Sequence, residues 1–288
     1  MLAALLAAAL AHAGDERLPL WRIDGADNHV YLLASVHLLR ASDYPLPDAI
    51  NEAYDDADAL VMELDMDDLD PRAMQALVRE LGTIPGDGTL AAVLGPRAYA
   101  RASSLALAAD ISLAPLAHAE PWYAAITVEQ QMLARLHFDA AFGIEARLAD
   151  RAGKDGKPIL GLETIGEQLG LLDDLSPGAQ CALLLQSLEE MLDLGDVMDD
   201  MVRAWRHGDT AYLEQTLLQD MRQDSELYRR LVVDRNAAWS TTIEQLLDEP
   251  ENYLVVVGAL HLVGSDGLPS MLRKLGREPR QLTESATP

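Results

Sequence analysis

Residues 252–261 read NYLVVVGALH, an unbroken apolar run rich in valine that stops at a histidine, His261. A short continuous run between polar residues suits a strand covered on both faces, the usual state of a parallel strand. Residues 28–37, NHVYLLASVH, repeat the pattern and stop at His37. Two more runs, ALVMELD at 59–65 and KPILGLE at 157–163, are equally short and apolar, and they carry Glu63 and Glu163 near their ends. Between the runs the spacing of apolar residues is helical: YPLPDAINEAYDDA at 44–57, then long Ala/Leu-rich stretches over about 71–150 and about 165–248. The expectation is an α/β fold: a mostly parallel central sheet covered by helices, with a large helical insertion or cap. No repeat of fixed period interrupts residues 14–288, which read as one domain.

Composition narrows the function. The 288 residues carry a formal charge of −25, which repels a phosphate backbone and argues against nucleic acid as a partner. The single cysteine, Cys181, excludes an internal disulfide and a cysteine-rich zinc site. The start, MLAALLAAALAHAGDE, is an apolar run leading to Ala11-His12-Ala13, so residues 1–13 are expected to be a signal peptide and the protein periplasmic or secreted. After that leader no uncharged run reaches the roughly 20 residues that span a bilayer. Oligomeric state is not legible.

In parallel α/β sheets ligands sit beyond the carboxyl ends of the strands. His37, Glu63, Glu163 and His261 all fall there if the four runs are neighbours. Two imidazoles with one or two carboxylates form a nitrogen/oxygen donor set suited to Zn²⁺, Mn²⁺, Co²⁺ or Fe²⁺. Glu63, flanked by Met62 and Leu64, is expected to be buried and therefore partnered, by a metal or by a salt bridge to an arginine such as Arg235. Small residues before each histidine, Ala34-Ser35 and Gly258-Ala259, allow close approach to the backbone. His118, in APLAHAEPWY, is a weaker candidate for the cleft wall, with Trp122 and Tyr123 beside it.

LLASVHLL (32–39), VVVGALHLVGSDGL (255–268), GIEARLADRAGKDGKPILGLETIGEQL (143–169) and LVVDRNAAW (231–239) together resemble the TraB/GumN family, to which the Tiki metalloproteases are related. The resemblance implies a metal-dependent hydrolase, most readily a peptidase, with a divalent ion (Mn, Co or Zn) held by His37, Glu63 and His261. It implies a catalytic part for Glu63 and Glu163, and substrate binding by Arg235 and Asn236. The substrate would be a peptide or small molecule. The first motif departs from the family's glycine at Ala34, a mild change whose extra methyl is able to crowd metal or substrate. The alternative is a protein that binds or sequesters a peptide or small ligand without turnover.

Overall fold

The computed structural model describes residues 17–65, 70–191 and 193–284; the expected signal peptide, residues 1–13, lies outside them. The first strands are β1 (Arg17–Asp24) and β2 (His29–Ser35), followed by α1 (Asp48–Asp56) and β3 (Ala59–Leu64). The chain then runs through α2 (Pro71–Leu81), α3 (Leu90–Ala108), α4 (Pro121–Arg135) and α5 (Ile144–Asp155) to β4 (Ile159–Glu163). A second helical excursion holds α6 (Ile165–Asp173), α7 (Pro177–Glu190), α8 (Leu194–Arg206), α9 (Thr210–Leu218) and the single turn α10 (Ser225–Tyr228). After a π-helical stretch, Arg229–Val233, come α11 (Asp234–Leu246), β5 (Tyr253–Gly258), α12 (Leu268–Lys274) and β6 (Arg280–Thr283).

The six strands form one mixed sheet in the order β4-β3-β5-β2-β1-β6. The four strands read from the sequence are parallel neighbours: β5 lies between β2 and β3, and β3 pairs with β4. Register then decides the site. Ser35 lies beside Gly258, Met62 beside Val256, and Leu64 beside Glu163, so the chain leaves all four strands along one edge of the sheet. Leu32, Leu33, Leu60, Val255 and Val256 are fully buried, which is why the runs lack polar alternation. At roughly 1.5–3 kcal/mol per fully buried large aliphatic side chain, these strands anchor the sheet-centred core.

The helical insertion has a core of its own. Leu90, Leu94 and Ala102 of α3 pack with Ala124 and Val128 of α4 and with Leu184 and Leu188 of α7. Trp122 is 1% exposed and its indole donates to Asp173, so it is a packing residue. His118 is exposed and bonds the Gly88 carbonyl, and is no part of the strand-end cluster.

Three details differ from or complete the sequence reading. β1 and β6 were not foreseen; both run in the antiparallel sense relative to their neighbours. RLPLWRID contains a proline and two arginines, and RQLT has one apolar residue, so neither reads as a continuous apolar run, although Leu18, Leu20, Trp21 and Ile23 of β1 are buried in the core. The strands also stop earlier than the apolar runs: His37 lies two residues past β2, and His261 closes a 3₁₀ turn, Ala259–His261, after β5. Finally, Ala34 does not crowd the cleft. It is fully buried in the sheet core beside Val257, and its carbonyl accepts the Trp205 indole N–H at 2.7 Å.

Candidate active site

Glu63 sits one residue before the end of β3, 8% exposed, with Oε1 accepting the Gly258 backbone N–H at 2.8 Å. That bond ties β3 to the turn after β5. A Cβ added to Gly258 would lie 3.3 Å from Glu63 Oε1, 3.4 Å from His37 Nε2 and 3.8 Å from His261 Cδ2. Gly258 has an ordinary φ of −51°, so glycine here is a matter of space, and a Cβ would stand in tight contact with Glu63 and His37. The three side chains from three strand ends thus surround one small space.

His261 is fully buried. Its Nδ1 lies 2.7 Å from Asn236 Oδ1, while Asn236 Nδ2 donates to the Asp266 carbonyl at 2.8 Å. The amide oxygen therefore faces the ring, and His261 carries its proton on Nδ1 and a lone pair on Nε2. Burial pushes the pKa of His261 down to about 3, the nearby Glu63 only partly opposing it, so the ring is neutral at physiological pH. His37 differs. Its side chain is 57% exposed at one edge, and Nδ1 pairs with Glu145 Oε1 at 2.7 Å. Crowding by protein lowers its pKa, but the Glu145 carboxylate outweighs this and raises it to about 9.

Arg235, on α11, binds the remaining groups. Nε and Nη2 grip Glu163 at 3.1 and 2.6 Å, and Nη2 also donates to Glu63 Oε2 at 2.6 Å. Nη1 lies 3.0 Å from His261 Nε2 and 3.4 Å from the Leu231 carbonyl. These contacts occupy all five N–H groups of the guanidinium, leaving none for a substrate carboxylate. Its Cζ is 4.4 Å from the centre of the Trp239 ring, whose centre in turn lies 4.5 Å from that of His261. Gln168, from α6, donates to Glu63 and Glu163 at 3.2 and 3.0 Å.

Burial raises the Glu63 pKa, but the charges around it (His261 when protonated, Arg235, His37) and the Gly258 N–H bring it below the usual carboxylate range. Glu163 moves the other way, because burial and the Glu63 charge outweigh the bonds from Arg235. The two carboxylates are thus separated in acidity, the arrangement of an acid beside a base.

A family model described as TraB/PrgY/gumN matches residues 19–281. The chain belongs to the TraB/PrgY/gumN family. Among its relatives are uncharacterized protein YbaP of Escherichia coli (strain K12) and of Shigella flexneri, each 26% identical over 247 residues, covering 86% of this chain and 89% of the relative. An uncharacterized protein of Treponema pallidum (strain Nichols) is 25% identical over 266 residues, 88% of this chain and 80% of the relative. No solved structure matches.

In this TraB/PrgY/gumN chain the six residues expected to serve metal, catalysis or substrate lie in one cluster, whereas the weaker candidate His118 does not join them. The arrangement adds Glu145, Gln168 and Trp239, which sequence reasoning missed. They sit on helices, where a lone polar or aromatic residue looks like any other. Among the described residues, no three His, Cys, Asp or Glu side chains already stand around a common metal position. Arg235 holds the His261 lone pair. The donor chemistry nevertheless fits a divalent cation: one carboxylate oxygen and one imidazole nitrogen face the space that a Cβ on Gly258 would fill, with His261 at its side.

Proposed function

We propose that this protein is an exported metal-dependent hydrolase, with a peptide as the favoured substrate. The observation that carries the reading is the space above Gly258, kept free of any side chain between Glu63, His37 and His261. These three residues would hold the cation. When bound, it would supply Lewis acidity able to bring the pKa of water from about 15.7 to about 7.

The chain's own groups do the rest. Asn236 keeps the proton of His261 on Nδ1, so that Nε2 is a donor to a metal. Glu163, held above the usual carboxylate range by burial, is the group suited to pass a proton to a leaving amine. Arg235 fixes Glu163 and Glu63 relative to each other, so its role is positioning; the substrate-binding part expected of it requires release from those contacts. Trp239 closes the floor beneath His261. No helix among the described residues is long and apolar enough to cross a membrane, which is compatible with an exported protein free of the bilayer.

The test is a peptide-library digest by chelator-stripped protein reloaded with Mn²⁺, Co²⁺ or Zn²⁺. Metal-dependent cleavage that disappears in His37→Ala and His261→Ala supports the reading. Full metal binding by both variants overturns it. Saturable binding of intact peptide, with no products, would favour the sequestering alternative.

A further inference from the structure

We propose that Glu145 is the positioning residue of His37, holding the ring with its Nδ1 toward the helix and Nε2 toward Glu63 and Gly258. The affinity arm of the test rests on the metal reading above; the spectroscopic arm does not.

Glu145 is in the first turn of α5, in GIEARL, far from His37 in sequence. Three contacts dock that turn onto the chain leaving β2. The Ile144 N–H donates to the Val36 carbonyl at 3.2 Å. Gly143 lies so close that a Cβ would come within 2.1 Å of the His37 carbonyl oxygen, so only glycine permits the approach. Leu39 and Asp139 exchange backbone bonds just beyond. The docked turn delivers the Glu145 carboxylate to His37 Nδ1 at 2.7 Å. Ser35, the last residue of β2, donates its hydroxyl to the same oxygen.

The carboxylate is 15% exposed, whereas the ring it holds is largely in water. An unsupported imidazole there would rotate and exchange tautomers. A buried acceptor on Nδ1, itself fixed by Ser35, removes both freedoms. Asn236 does the same for His261 from another helix. Each histidine of the site thus has its own orienting partner: an anion for His37 and a neutral amide for His261.

The test compares full-length wild type, Glu145→Leu, Glu145→Gln and Ser35→Ala. Imidazole ¹⁵N spectra are recorded without metal, above the pH at which His37 loses its second proton. Wild type and Glu145→Gln, whose carboxamide oxygen can still accept, are expected to show His37 protonated on Nδ1. Glu145→Leu is expected to show mixed tautomers. Should Glu145→Leu fail to fold, Ser35→Ala with Glu145→Gln loosens the same hold in a milder form and is expected to show partial mixing. In parallel, Co²⁺ titration is expected to show affinity about 10–100-fold weaker for Glu145→Leu. An unchanged His37 tautomer in every folded variant overturns the proposal. Wild type that binds no Co²⁺ but shows the expected tautomers sinks the metal reading and leaves the role of Glu145 standing.

Discussion

Gly258 tests the site at the scale of one atom. Because its backbone is unstrained, Gly258→Ala should fold with a melting temperature within a few degrees of wild type. Its methyl would sit between Glu63 and His37, so Co²⁺ affinity by calorimetry should fall about tenfold or more. His37 gives a pH prediction for the metal-free protein. Its pKa is raised to about 9 in the fold, so its contribution to stability is complete below the ordinary value of about 6.5. That contribution is lost as pH climbs through 9. Melting curves in chelator should therefore decline over this window, and the decline should be smaller in His37→Gln. The size is modest, since the exposed edge of the ring is screened by water. The histidines and Glu63 were legible because each interrupts or ends an apolar run. Glu145 was not, because an acidic residue in the first turn of a helix has an ordinary explanation in the helix dipole.

At the scale of elements, Arg235 joins α11 to β3 and β4. Arg235→Met would leave two buried carboxylates without their cation, which should cost about 3–5 kcal/mol in denaturant unfolding. Adding Glu163→Gln should restore part of that loss, since one of the stranded charges is then gone. A double-mutant cycle measures the coupling. β2, β3 and β5 were legible because burial on both faces leaves continuous apolar runs, whereas β4, at the sheet edge with Leu160 exposed, was legible only from its apolar composition. β1 was hidden because its buried side chains are interrupted by Pro19 and Arg22, and β6 because that edge strand is held by pairing and local bonds: Gln281, for example, donates to the carbonyls of Leu18 and Gly208. The π-helical stretch before Arg235 was equally hidden, for its sequence, RRLVV, is unexceptional.

At the scale of the molecule, the surplus of acidic residues makes the folded chain repel itself. Raising salt from about 0.01 M to about 0.15 M shortens the screening length from about 30 Å to about 8 Å. The melting temperature should rise with it in scanning calorimetry; a fall would mean that attractive ion pairs outweigh the net repulsion. The helical insertion was legible only as a length of helical pattern. That it carries a separate apolar core of α3, α4 and α7 depends on contacts between distant segments, which periodicity cannot pair.

The guanidinium lodged against His261 has a consequence for affinity. On the proposed reading, Arg235 is a tethered competitor for the His261 lone pair, one that would have to withdraw before that nitrogen could hold a cation. The dissociation constant for such a cation would then be weaker than the donors' intrinsic one by the free energy of moving that side chain. The same eviction would free one N–H of Arg235, on Nη1, while its bonds to Glu163 and Glu63 keep the rest of the guanidinium in place.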